Sequence, residues 1–135
     1  MTLIGVGEMI KAHTGRNACF RVTVFFVVNG ETVAASSVVL FELWFGAEKS
    51  ARRDGNARKI EELLSSPLQV LEFDALDAKE AGEIRASLSR AGTPIGPYDI
   101  LIAAQARRRD ALLVTANTRE FARVPGLRIK DWTAA

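Results

Sequence analysis

The stretch "PYDILIAAQARRRDALLVTANT", Pro97 to Thr118, decides the fold class. Proline opens it, as it does at a helix's first turn, where no N–H is needed. Apolar residues follow at helical spacing, and Arg107, Arg108 and Arg109 close it where a helix dipole favours cations. "ALLVT" then reads as a buried strand, and it ends in the polar groups of Thr115, Asn117 and Thr118. A helix running into such a strand is the repeating unit of an α/β protein with a parallel sheet covered on both faces.

The same alternation extends outward. "DALDAKEAGEIRASLSRAG", residues 74–92, begins acidic and ends with Arg90 before Gly92, as a dipole-matched helix does. Before it, "LQVLEF" (68–73) is a strand, and "NARKIEELLSS" (56–66) is an amphipathic helix stopped by Pro67 and preceded by a polar turn around "RRDGN". "SVVLFELWFGAEKS" (37–50) is a helix, "ETVAAS" (31–36) and "TLIGV" (2–6) are strands, and "LRIKDW" (127–132) is a last edge strand. One segment breaks the rhythm. "CFRVTVFFVVNGETVAAS", 19–36, is β-branched and aromatic around Asn29-Gly30, which predicts a hairpin.

Composition limits the chemistry. The 135 residues are 48% hydrophobic and 25% charged, with no repeat and no linker, so the chain is expected to form one domain, 1–135, with its own core. Cys19 is the one cysteine, which excludes an internal disulfide and a two-cysteine metal clip. A nucleophile served by a histidine base would have to rest on His13, the one histidine, and nothing around it suggests such a site. The N-terminus lacks the pattern of a secretory signal, and the longest apolar run, "VTVFFVV", is too short for a bilayer, so a soluble cytoplasmic protein without a membrane partner is expected. A net charge of +2 and a pI near 9.0 permit a polyanionic partner without requiring one.

Two carboxylates stand out because they lack charged company. The residues three and four positions from Asp99 are Ile95, Gly96, Ile102 and Ala103, and those around Glu42 are Val38, Val39, Phe45 and Gly46. Stabilisation of a helix N-terminus would explain Asp99 alone. Yet both acids precede apolar helices at the positions where open sheets place ligand sites, and Thr115, Asn117 and Thr118 occupy a third such position, where turn and cap chemistry also accounts for Asn117 and Thr118. Carboxylates gathered in one cleft repel unless one is protonated or a cation lies between them. Oxygen ligands favour a hard ion such as Mg2+, which activates water and stabilises charge on a phosphate. That chemistry is phosphodiester cleavage. Arg107, Arg108 and Arg109 are expected to serve the helix end in preference to RNA, and Phe41, Trp44 and Phe45 to be core or interface in preference to base-stacking platforms.

"SSVVLFELWFGAEKS", "GTPIGPYDILIAAQA" and "LLVTANTREFARVPGLRIKDW" closely resemble the PIN-domain ribonuclease toxins of the VapC family, from VapBC toxin–antitoxin modules. The likeness runs from about Glu31 to Trp132. It implies a three-layer α/β/α domain around a parallel sheet, a homodimer, a Mg2+- or Mn2+-dependent endoribonuclease acting on RNA, and a cognate VapB antitoxin. Carried over by position, Glu42 and Asp99 are the metal-site acids, Asn117 stands where the fourth acidic or amide group falls, and Thr115 is a polar accessory. Residues 1–30 are atypical: Gly5, Val6 and Gly7 stand where the family's first strand carries Asp, Thr and Asn. Either the first catalytic aspartate is absent, leaving an impaired module that still dimerises and binds its antitoxin, or Glu8 reaches the site instead. The apolar residues around Val39, Leu43 and the 56–66 helix exceed what one small sheet face needs, which points to the same homodimer.

Overall fold

The computed structural model describes residues 24–30 and 32–131; Gly5, Glu8, His13, Cys19, Trp132 and the expected first strand lie outside them. The elements are β1 (Val24–Val28), β2 (Thr32–Ser36), α1 (Ser37–Lys49), α2 (Arg53–Leu64), β3 (Gln69–Leu71), α3 (Ala75–Ala91), α4 (Pro97–Arg108), β4 (Leu112–Thr115), α5 (Thr118–Phe121) and β5 (Arg128–Asp131). The strands form one sheet, β3-β2-β1-β4-β5, flanked by helices in the expected α/β arrangement.

The hairpin forms where the sequence places it. Asn29 and Gly30 both take left-handed backbone, φ 53° and 77°, which reverses the chain between β1 and β2. β2 pairs with β3 and β4 with β5 in parallel, but β1 is antiparallel to both of its neighbours. The sheet is thus parallel on either flank, with the hairpin strand running antiparallel between. A tight hairpin can only deliver an antiparallel partner, and the buried run Val24, Phe25, Phe26 and Val27 suits a strand covered on both faces. The direction has a consequence at the sheet edge where the parallel strands end. There β1 contributes its first residue, Val24, opposite Thr115.

Local signals set most of the other boundaries. Ser36 caps α1 by accepting from the Val38 N–H at 3.0 Å. Asp74 and Asp77 close a reciprocal capping box on α3, and Gly92, φ 70°, ends it in the left-handed conformation. The "RRDGN" turn is shorter than the sequence suggests. α2 already starts at Arg53, because Asn56 is fully buried and donates from Nδ2 to Ser50 Oγ at 2.8 Å, drawing this turn into the helix.

A polar node fixes α4 against the sheet. Ser36 Oγ donates to Gln105 Oε1, and Gln105 Nε2 donates to the Leu71 carbonyl at 3.0 Å. Ser36 and Gln105 are fully buried, so their pairing is obligatory and ties α4 to the ends of β2 and β3. Val39, Leu43, Ile60 and Leu63 are buried within the chain itself, so they are not the surplus apolar surface expected for a dimer. The exposed apolar residues on these two helices are Phe41, Phe45 and Leu64 instead.

Candidate active site

Asp99 sits in the first turn of α4, which starts where Gly96 and Pro97 follow an extended segment. Burial, a hydrogen bond with Glu120 and the negative charges of Glu120 and Glu42 all act against its ionisation, and push its pKa up to about 7. Glu42, on α1, is also held above the ordinary carboxylate value, by desolvation. Its carboxylate is partly withdrawn from water although the residue as a whole is exposed.

Glu120, in α5, is the third member of this group and was not singled out in the sequence. The backbone N–H of Gly96 donates to its Oε1 at 2.7 Å, and Asn117 Nδ2 donates to its Oε2 at 2.8 Å; these bonds hold its pKa below the usual value. The signal was present in "NTRE": an amide and a glutamate three residues apart lie within reach across one helical turn. Asn117 is thus a support for a carboxylate. Thr115 is fully buried, and its Oγ1 accepts from the Asn117 N–H at 3.0 Å, so it shapes the turn beneath the acids.

Gly96 completes the cluster from below. A Cβ on this residue would lie 3.3 Å from Asp99 Oδ2 and 3.7 Å from Glu120 Oε1, so the missing side chain leaves the space those oxygens use. Asp99 feels the charges of both Glu120 and Glu42, so the site carries excess negative charge of the kind a divalent cation relieves. Among the described residues, no three His, Cys, Asp or Glu side chains close around a single point. Carboxylate oxygens are the donors that Mg2+ takes one or two at a time, with water filling its other positions.

The arginines lie elsewhere. Arg107 Nε donates to Glu80 at 2.6 Å, Arg108 Nε and Arg109 Nη1 each donate to Asp77 Oδ1 at 2.7 Å, and Arg108 also reaches Asp74 at 3.0 Å. All three are committed to α3. The aromatic residues of α1 divide: Trp44 packs against the core, whereas Phe41 and Phe45 stay exposed and do not join it, because they project from the face of α1 opposite Leu43 and Ala47.

A five-stranded α/β sheet with an acidic group at the edge where its parallel strands end defines a class of fold, and the comparisons with known proteins narrow it. The PIN domain model matches residues 10–127. The tRNA(fMet)-specific endonuclease VapC of Salmonella typhimurium is 47% identical over 107 residues, 79% of this chain and 80% of that protein; its Shigella flexneri counterpart is 48% identical over 108 residues, 80% and 81%. Among solved structures, DNA-bound VapBC from Salmonella typhimurium superposes with a TM-score of 0.71 at 48% identity, covering 73% of this chain and 74% of that one. VapBC2 from Rickettsia felis, bound to a DNA fragment from its promoter, gives 0.71 at 40% identity and 75% of each chain. The chain belongs to the PIN-domain family, in its VapC branch.

Proposed function

We propose that this protein is a divalent-metal-dependent endoribonuclease, the toxin of a VapBC module, that cleaves RNA phosphodiester bonds and is neutralised by a VapB antitoxin. The observation that carries this reading is that Glu120 and Glu42 both act on the partly buried Asp99, Glu120 through a hydrogen bond as well, and together with burial push it up to about 7. Asp99 and Glu42 would hold Mg2+ or Mn2+. Bound there, the ion would supply Lewis-acid activation of a water and neutralise charge on the phosphate. Glu120 stands by, fixed by Gly96 and Asn117, and its hydrogen bond with Asp99 gives the pair a place to hold one proton. Thr115 keeps Asn117 in register for that task.

The names of the relatives make tRNA(fMet) the first substrate to try. No described helix is long and apolar enough to cross a membrane. The homodimer belongs to the same reading, and Phe45 and Leu64 are the exposed apolar residues available to it.

One feature favours a weaker catalyst. The strand between β2 and β4 brings Val24, an apolar residue, to the edge where the acids gather. An impaired toxin that retains its antitoxin is the second reading. Cleavage of tRNA with added Mg2+ or Mn2+ tests both. Asp99→Ala is expected to lower the rate by roughly 100-fold or more, since removing a ligand disables the ion's chemistry. Gly5→Asp is expected to raise it above the parent if the first acid is missing. Equal rates for the parent and Asp99→Ala would remove the nuclease assignment.

A further inference from the structure

Phe41 and Tyr98 are exposed aromatic residues, 53% and 48% accessible, whose rings touch with centroids 5.7 Å apart and planes tilted by 57°. Each directly precedes an acid of the cluster in sequence: Phe41 stands before Glu42 on α1, and Tyr98 before Asp99 on α4. The ring contact therefore bridges the same two helices as the electrostatic contact between Glu42 and Asp99. Water rewards the burial of such rings, and a pair left half exposed beside a reactive centre is unspent binding surface.

Charge decides what it binds. A nucleic acid is ordinarily gripped through its phosphates by basic side chains, but Arg107, Arg108 and Arg109 are committed to Glu80, Asp77 and Asp74, and at the site the one cation acting on Glu120, Arg123, donates to the Pro94 carbonyl at 2.9 Å among an excess of carboxylates. An unpaired base is neutral and carries a π-face, so it can approach where a bare phosphate is repelled. Phe45, one turn along α1, differs: the Lys49 ammonium lies 5.9 Å from its ring centre.

We propose that Phe41 and Tyr98 form a stacking platform for an unpaired base of single-stranded RNA next to the scissile phosphate. This rests on the nuclease reading above and names what selects the cut position within it. The two residues are specificity determinants, and the carboxylates remain the reactive groups.

The test is steady-state cleavage of a short single-stranded oligoribonucleotide by the full chain with Mg2+, comparing the parent with a Phe41→Leu/Tyr98→Leu double variant. Leucine keeps apolar bulk at two exposed positions and removes the π-faces. KM is expected to rise roughly tenfold with kcat changed by less than about twofold, in line with the loss of one stacked base. An abasic nucleotide beside the scissile bond should erase the difference between the two proteins. Leu76→Ala, an exposed apolar residue on α3, serves as the control and should leave cleavage unchanged.

An unchanged KM in the double variant overturns the platform. So does a variant that cleaves normally but no longer co-purifies with a co-expressed VapB antitoxin, which would make the patch a protein-docking surface. A binding arm separates this failure from that of the nuclease reading: quenching of 2-aminopurine in the same oligonucleotide, with Ca2+ in place of Mg2+, reports stacking without turnover. Quenching by the parent that is lost in the double variant supports the platform even if no RNA is cut. Absence of quenching with the parent overturns it.

Discussion

The two ends of α4 hold aspartates in opposite environments. At its carboxyl end, Arg108 and Arg109 surround Asp77; burial alone would raise that pKa, but hydrogen bonds from Arg109, Arg108 and the Asp74 N–H outweigh it and hold the carboxyl at about 2. At its amino end, Asp99 meets Glu120 and Glu42, and every neighbour adds to the effect of burial, to about 7. One cluster is matched in charge and serves the fold. The other is mismatched, and the cation proposed above would balance it.

Removing each charge breaks the comparison most sharply. Asp77→Asn leaves two guanidiniums facing a lost partner and is expected to cost about 2–3 kcal/mol in urea unfolding, below the range for fully buried pairs because both arginines keep some solvent. Asp99→Asn should cost nothing at pH 8 without metal and raise the Tm by a few degrees. The signs follow from the two shifts. The Asp77 contribution is complete above its unfolded pKa, near 4, and is lost as the pH falls towards 2. Asp99 binds its proton more tightly folded than unfolded, so its contribution declines as the pH rises from about 4 to about 7. Equal destabilisation by both variants would mean that the two ends do the same work.

Much of this was legible in the chain because short-range rules carried it. Pro97, Gly92, Ser36 and Asn29-Gly30 mark boundaries through their own backbone preferences, and the elements follow them. Asp99 and Glu42 were visible as acids without polar neighbours at helical spacing. Long-range facts were not. The hairpin was readable, but its insertion as the central strand depends on pairing with β4, some 90 residues later. Glu120 was half legible: "NTRE" sets it within reach of Asn117, but its place in the site also needs the Gly96 N–H, 24 residues away. The exposed faces of Phe41 and Phe45 depend on which side of α1 the core takes, and an aromatic-rich helix does not reveal that by composition.

The next effect is smaller and sharpens the Asp99 side of the comparison. A cation must displace the proton that Asp99 holds up to about pH 7, so the apparent affinity for Mn2+ should fall about tenfold between pH 8 and pH 6 and level off above pH 8. Isothermal titration at fixed ionic strength measures it. An affinity that is flat across this range would place the ion away from Asp99. Asp77→Asn should leave the profile where it is, because that carboxyl stays ionised throughout.

The smallest expected effect is at Gly96, and it isolates geometry from charge. Its φ of −58° and ψ of 148° suit any residue, so Gly96→Ala introduces no backbone strain, and the reduced freedom of the unfolded chain adds roughly 0.4–1 kcal/mol of stability. The new Cβ would stand 3.3 Å from Asp99 Oδ2, closer than an ordinary contact, and 3.7 Å from Glu120 Oε1. Either the Asp99 carboxylate shifts or Glu120 loosens its bond to the Gly96 N–H. Displacing a ligand oxygen by a few tenths of an ångström should weaken metal affinity and RNA cleavage by about threefold to tenfold, with the Tm unchanged or slightly higher. A variant that is more stable and less active would show that the amino end of α4 is shaped for its charge mismatch. One that cleaves at the parent's rate would show that the carboxylates set their own positions, and that Gly96 contributes only its N–H.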